Sequence, residues 1–243
     1  MKITAAFVAV VLFMGFLYFC SIIMESKLQI TSDGSHTLFV PEIDECYHSS
    51  HGAIQESQHI FIEAGLKQCP KDEICVLEVG FGTGLNALLA LVEAERSGKK
   101  IQYIALEKYP VDSEKTLLLN YPAMIDSDKQ DVFNLLHTSM WNEPIEITSY
   151  FTLHKIETDF TQHIHSQHYD VVFFDAFSPE KQPEMWLVEQ FEKLYKSCNL
   201  GAVLTTYCAK GIVRRAMQEA GFKVERLPGP PGKREILRAS QTL

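Results

Sequence analysis

Ile74-Cys75-Val76-Leu77-Glu78-Val79-Gly80-Phe81-Gly82-Thr83-Gly84-Leu85-Asn86 decides how this sequence folds. Ile74 to Val79 is an apolar run broken only by Glu78, the pattern of a central parallel strand covered on both faces. Gly80, Gly82 and Gly84 follow at once, removing Cβ atoms where the chain must turn sharply and let a ligand meet backbone. Leu85 to Arg96 has helical composition and spacing. A strand, a glycine turn and a helix N-terminus together make a nucleotide-type site at the carboxyl edge of a sheet.

Two cofactor classes use such a turn. A dinucleotide fold wants G-x-G-x-x-G or G-x-G-x-x-A. Counted from Gly80 the pattern fails at Leu85; counted from Gly82 it passes with Ala87. The stretch from Glu78 to Gly84 also resembles the E-x-G-x-G-x-G turn of S-adenosylmethionine-dependent methyltransferases. On that reading Glu78, Gly80, Phe81, Gly82, Thr83, Gly84 and Asn86 are cofactor contacts. The glycines alone leave both classes open.

The 243 residues suffice for one α/β domain with a small extension. A net charge of −9 keeps the surface as a whole from attracting nucleic acid. The charge is uneven, however. From Cys208 onward eight Lys and Arg face three Glu, a net +5 that leaves −14 on the rest. A basic C-terminal patch of this kind reads as a docking surface for a polyanion or as a solvated helix face. Six cysteines (Cys20, Cys46, Cys69, Cys75, Cys198, Cys208) form no C-x-x-C pair, so reduced thiols of a cytosolic enzyme are expected rather than a disulfide framework or a zinc site. His48 and His51 lack a third clustered ligand, and no metal is expected.

Residues 1–23 stand apart. Ile3 to Ile23 carries no charge and is long enough to span a bilayer, with no small-residue cleavage site. It reads as a membrane anchor or as sequence ahead of a true start at Met24; the soluble character of the remainder favours the second and a cytoplasmic protein. Residues 24–70 read as an N-terminal extension carrying a substrate-side motif. Thr31-Ser32-Asp33-Gly34 is its turn and Thr37 to Val40 a strand, with a helix from Ile54 ending near Gly65. Residues 71–243 form the main domain.

Within that domain Ile101 to Glu107 is the second strand, and Glu107 falls about 25 residues after Gly82, where a ribose-binding carboxylate belongs. Residues 112–140 read as two helices parted near Tyr121-Pro122. Ile145 to Ile156 reads as a third strand, followed by Asp159, an adenine contact or a helix N-cap. Val171 to Phe174 is a buried strand that delivers Asp175 to the same carboxyl edge, and Phe177-Ser178-Pro179 follows. Methyltransferases acting on amines place D-x-x-P or N-P-P-Y at this position. A dehydrogenase has no use for an acid-aromatic-Pro loop there, which argues for methyl transfer. Further strands are expected at Ala202 to Cys208, Phe222 to Leu227 and Lys233 to Arg238, with a helix from Ala209 to Ala220.

Taken together, five stretches resemble the MnmC methyltransferase domain: Tyr47 to His59, Leu77 to Asn86, Phe174 to Trp186, Thr205 to Gly211 and Pro228 to Glu235. The resemblance runs from about Thr31 to Ala239. It implies an α/β, Rossmann-like class I S-adenosylmethionine-dependent methyltransferase with a mostly parallel seven-stranded sheet and an antiparallel last strand. It implies S-adenosylmethionine held by the glycine turn, Glu107 and Asp159, with Asp175 as the active-site acid. The product it implies is 5-methylaminomethyl-2-thiouridine at the tRNA wobble position, made by methylating the nitrogen of 5-aminomethyl-2-thiouridine. Tyr47, His48, Ser49, His51, Glu56 and Ser57 fall in the substrate-side motif. Phe177 and Trp186, with Tyr47, are expected to stack on a flipped base. Lys210, Arg214, Arg215, Lys233 and Arg234 are expected to meet phosphates.

Bifunctional members of the family continue into an FAD-dependent oxidase domain. No second glycine fingerprint occurs before Leu243, so no FAD is expected here, and a separate oxidase or another route would supply the aminomethyl substrate. The rival readings are methylation of another amine or base, an NAD-dependent oxidoreductase, and a membrane-tethered RNA-binding module with an inactive methyltransferase fold.

Overall fold

The structure, a computed structural model, describes residues 25–242. The hydrophobic run 1–23 and the start at Met24 lie outside the described residues. Among those described, no helix is long and apolar enough to cross a membrane.

Asp33 organises the first turn by accepting hydrogen bonds from Thr31 Oγ1 at 2.7 Å and Ser35 N at 2.9 Å, an acid bonding its own backbone neighbourhood. The turn folds β1 (Lys27–Ile30) onto β2 (His36–Val40), and β3 (Glu45–Cys46) completes a small antiparallel sheet. The expected helix follows as α1 (Ala53–Ser57), which widens into a π-turn over Gln58–Glu63 before Gly65.

The main sheet is built outward from β4 (Glu73–Val79). β5 (Lys100–Glu107) pairs with it in parallel on one side and β8 (Tyr169–Phe174) on the other. Beyond β5 lie β7 (Phe151–Glu157) and then β6 (Pro144–Thr148). Beyond β8 lie β9 (Cys198–Thr206), β11 (Glu235–Ser240) and β10 (Lys223–Pro228). β11 slots antiparallel between β9 and β10, so the expected reversed last strand is present. Strand order reverses between β4 and β8, which opens a crevice at their carboxyl ends.

Two expectations change. The single strand read over Ile145 to Ile156 is a hairpin, β6 and β7, with Ile145 opposite Leu153. Thr148 Oγ1 accepts from Tyr150 N at 3.2 Å and tightens the turn. Among the described residues the main sheet therefore has eight strands, the expected seven plus an antiparallel edge. The two helices read over 112–140 are three: α3 (Ser113–Thr116), α4 (Tyr121–Ile125) and α5 (Gln130–Thr138). Asp112 caps α3 by accepting from Glu114 N at 3.0 Å. Pro122 sits in the first turn of α4, where its missing N–H costs nothing.

Period-two alternation sends adjacent phenylalanines to opposite faces of the sheet. Phe173 packs on Phe61 at 5.2 Å between ring centres, beneath α2 (Leu85–Ser97). Phe174 packs on Trp186 at 4.9 Å and on Phe191 of α6 (Val188–Lys196) at 5.1 Å, beside α7 (Gly211–Glu219). These layers clamp β4 and β8, so the ends of both strands are held in register.

Candidate active site

The turn after β4 is held by its neighbours. Gly80 N donates to Leu106 O at 2.9 Å, and Asp175 N donates to Val79 O at 3.1 Å. A Cβ on Gly80, whose φ is +93°, would stand 2.8 Å from the Asp175 carbonyl oxygen. Only glycine lets the two strand ends approach this closely. Gly82 N donates to Glu107 Oε2 at 3.0 Å, and Tyr109 N donates to Glu107 Oε1 at 2.8 Å. The strand end and the turn thus aim the Glu107 carboxyl into the cleft. Burial raises its pKa against the opposing pull of those backbone bonds.

Asp159 closes the far end. Its Oδ1 accepts from Thr161 N at 2.8 Å, so the N-cap reading holds, while Oδ2 accepts from Lys108 Nζ at 2.8 Å. Burial alone would raise its pKa, but Lys108 and Thr161 outweigh it and hold the carboxylate below the ordinary range. Asp159 lines the same cleft, so capping and ligand contact are compatible.

At the other end β8 delivers Asp175. Its Oδ2 accepts from Asn86 Nδ2, on the first turn of α2, at 2.8 Å. Burial pushes its pKa up to about 7, with Asn86 and Lys233 pulling down and Glu56 pushing up. Around it stand groups from the N-terminal extension and the C-terminal strands. Tyr47 meets Phe177 edge-to-face at 5.1 Å. Glu45 accepts from Ser178 Oγ at 2.8 Å, and Tyr207 Oη donates to Ala176 O at 3.0 Å. Lys233 Nζ lies 3.1 Å from Glu56 Oε2 and 4.6 Å from the centre of the Tyr207 ring. The cleft so enclosed has a volume of about 420 Å³, within the range of small-ligand sites.

Gly80, Phe81, Gly82, Thr83, Asn86, Glu107, Asp159 and Asp175 line this cleft, together with Tyr47, His48, Ser49, Glu56, Phe177 and Lys233. His48 Nε2 is 2.7 Å from Thr83 Oγ1 and is buried; that burial lowers its pKa to about 4, so it is a neutral bracket for the turn. Gly84 shapes the turn as the residue before α2 rather than lining the cleft.

Other expected residues sit elsewhere. Trp186 is buried against Phe174 and donates Nε1 to Phe177 O at 2.8 Å, so it braces the loop and cannot stack on a base. Ser57 is fully buried on α1. Glu78 points into the core with no exposed surface, because alternation along β4 turns it away from the turn's ligand side. His51 lies against Gly232, outside the cleft. Lys210 pairs with Glu180, Arg215 is exposed on α7 with Arg214 beside it, and Arg234 is 94% exposed. None of these basic residues lines the cleft.

Glu45, Lys108 and Tyr207 line the cleft and were not anticipated as site residues. Tyr207 follows β9, the neighbour of β8, so counting strands would have found it. Nothing local to Glu45 pointed to a partner 133 residues away.

The site's acceptors suit a ligand bearing hydroxyls, an amino group and positive charge. The glycine turn, the acid ending β5 and the acid ending β8, on a sheet reversed at β4, define the class I S-adenosylmethionine-dependent methyltransferase fold. Residues 128–242 match Methyltransf_30, described as an S-adenosyl-L-methionine-dependent methyltransferase. MnmC2 from Aquifex aeolicus superposes with a TM-score of 0.73 at 26% identity, covering 99% of this chain and 79% of that one. Spermidine synthase from Thermotoga maritima shares the fold, with a TM-score of 0.53 at 9% identity over 93% of this chain and 84% of that one.

The sequence is 30% identical over 224 residues to the tRNA 5-methylaminomethyl-2-thiouridine biosynthesis bifunctional protein MnmC of Cupriavidus metallidurans, covering 85% of this chain and 32% of that protein. It is 28% identical over 245 residues to the protein of the same name from Pseudoalteromonas atlantica, covering 88% and 33%. The resemblance to the MnmC methyltransferase domain is borne out. The chain spans about a third of the length of these curated relatives.

Proposed function

We propose that this protein transfers a methyl group from S-adenosylmethionine to the aminomethyl nitrogen of 5-aminomethyl-2-thiouridine at the tRNA wobble position, in the cytoplasm. The observation that carries the reading is the meeting of the glycine turn and Asp175 across one cleft, at 2.8 Å from the Gly80 Cβ position to the Asp175 carbonyl. When bound, S-adenosylmethionine supplies an electrophilic methyl on a sulfonium. Glu107 would accept from its ribose hydroxyls, Asp159 from its adenine amino group, and the backbone of residues 80–83 would hold the middle.

An attacking amine must be neutral and aligned. Asp175 accepts a hydrogen bond from the amine, orients its lone pair and takes its proton. Tyr47 and Phe177 hold the base, since their rings already meet at the cleft. The basic residues beside the cleft engage phosphates, and a separate FAD-dependent oxidase supplies the aminomethyl group.

Nucleoside analysis of tRNA from cells lacking the protein tests this directly. The unmethylated aminomethyl nucleoside should accumulate, and the purified protein should methylate that tRNA. Unchanged nucleosides would refute the reading. S-adenosylmethionine should raise the unfolding temperature and NAD should not; the reverse result restores the oxidoreductase.

For RNA docking, Arg234→Ala and Arg215→Ala should each weaken tRNA binding across sequences and shallow the logarithmic salt slope by about 1. Filter binding at graded salt reads this out, and unchanged slopes remove both residues from the interface.

A further inference from the structure

Four buried polar atoms cluster beneath the cleft without a hydrogen-bond partner: both carboxyl oxygens of Glu78, Asn86 Oδ1 and Tyr103 Oη. In the β4–β5 register Glu78 is opposite Ala105, so Tyr103, two residues back, sits diagonally on the same face. On the other side Glu78 is opposite Phe173. Asn86 and Tyr103 are the side chains placed to hydrogen-bond with it. With Asp175 ionised, the Asn86 amide must turn a donor toward it, and Nδ2 donates to that carboxylate at 2.8 Å. Its Oδ1 is therefore left toward the core, 3% exposed as a residue and with no donor.

An ionised Glu78 cannot resolve this. Tyr103 could donate to one oxygen, but the other oxygen and Asn86 Oδ1 would be two acceptors without a proton between them. One added proton settles all four atoms: Tyr103 Oη donates to one Glu78 oxygen, and the protonated second oxygen donates to Asn86 Oδ1. We propose that Glu78 is a neutral carboxylic acid whose hydrogen bond to Asn86 fixes the amide that binds Asp175, which makes Glu78 a positioning residue for the reaction. Burial, then the charge of Asp175, raises its pKa well above the ordinary value, with Glu107 adding to the rise and Asn86 and Tyr103 pulling down against it. The groups facing it are Tyr103 from β5, Asn86 from α2, Asp175 from the end of β8 and Glu107 from the end of β5.

The first test does not depend on the methyl-transfer reading. Unfolding exposes Glu78, which then ionises above about pH 4.5 and releases a proton. Its stabilising contribution is full below that value and is lost as pH rises toward the native value. Glu78→Gln keeps one donor and one acceptor but has no proton to release. The ratio of the wild-type to the variant unfolding constant should therefore grow roughly tenfold per pH unit above about pH 5. A ratio flat from about pH 5.5 to 7.5 means an ionised native Glu78 and overturns the proposal.

The second test rests on the methyltransferase reading. Asn86 lowers the Asp175 pKa, so Glu78→Leu, which frees the amide, should move the acidic limb of the pH–rate profile upward. In Glu78→Gln the limb should keep its wild-type midpoint. Equal shifts in both variants overturn the positioning role. Should the Leu variant not fold, the Gln comparison decides.

Discussion

Asp175→Asn lowers the rate of methyl transfer by ~10²–10⁴-fold, the usual contribution of a positioned general base, and leaves S-adenosylmethionine affinity near wild type. The isosteric amide still fills the end of β8 and accepts from Asn86 Nδ2 through its own oxygen, so the turn facing it keeps its shape. What disappears is the ability to take a proton. A carboxylate near its ordinary pKa is a poor acceptor for an alkylammonium proton. Burial lifts Asp175 to about 7, which brings donor and acceptor closer in strength.

The wild-type rate should accordingly rise with pH through about 7 as Asp175 ionises, and the variant should lack that limb. The sign for stability is opposite. With its native pKa raised, Asp175 stabilises the fold fully below the unfolded value of 3.8, and the contribution is lost as pH rises to about 7. The Asn variant has no such loss, so its unfolding temperature should exceed wild type above about pH 7. Single-turnover rates and thermal melts across pH check both. Undiminished methylation in the variant removes Asp175 from the mechanism.

The stretch from Ile74 to Asn86 was legible because two constraints act on one short segment. A parallel strand covered on both faces leaves an unbroken apolar run, and a turn with positive φ leaves glycines. Asp175 was legible for the same reason, since Val171 to Phe174 has no polar residue to hide where the strand ends. The β6–β7 hairpin was not. Its alternation runs on through Ser149-Tyr150 without Gly, Pro or Asn, and Thr148 makes the turn through a side-chain bond that composition does not announce.

Side-chain direction was the other blind spot. Trp186 sits in a loop that reads as a stacking surface, and only its packing on Phe174 shows that it faces inward. Glu78 belongs to the glycine motif by spacing, yet alternation along β4 sends it into the core. A motif fixes neighbours along the chain, whereas a cleft is assembled from strand ends and from loops far apart in sequence. Glu45 on the two-residue β3, reaching Ser178, shows how little of that assembly is local.

Gly80→Ala should damage fold and site together. The added Cβ meets the Asp175 carbonyl oxygen at 2.8 Å and its carbonyl carbon at 3.5 Å. Both are backbone atoms at the end of a strand paired on either side, so no rotamer change relieves the contact. The φ of +93° adds strain for any L residue with a Cβ. Gly98→Ala supplies the control. It has a φ of +71° but nothing within 4 Å of the added Cβ, so it carries the conformational cost alone, about 1 kcal/mol. Gly80→Ala adds the displacement of β4 from β8, for a total of about 2–4 kcal/mol. The shifted strand ends also carry the turn backbone and Asp175 away from one another, so S-adenosylmethionine affinity should fall more than about tenfold, a loss of about 1.4 kcal/mol. The basic residues beside the cleft do not rest on this contact, and tRNA binding should persist. Calorimetric titration of S-adenosylmethionine and denaturant unfolding of both variants make the comparison. If Gly80→Ala matches Gly98→Ala in stability and binds the cofactor as wild type does, the closure of the cleft between these two strand ends is wrong.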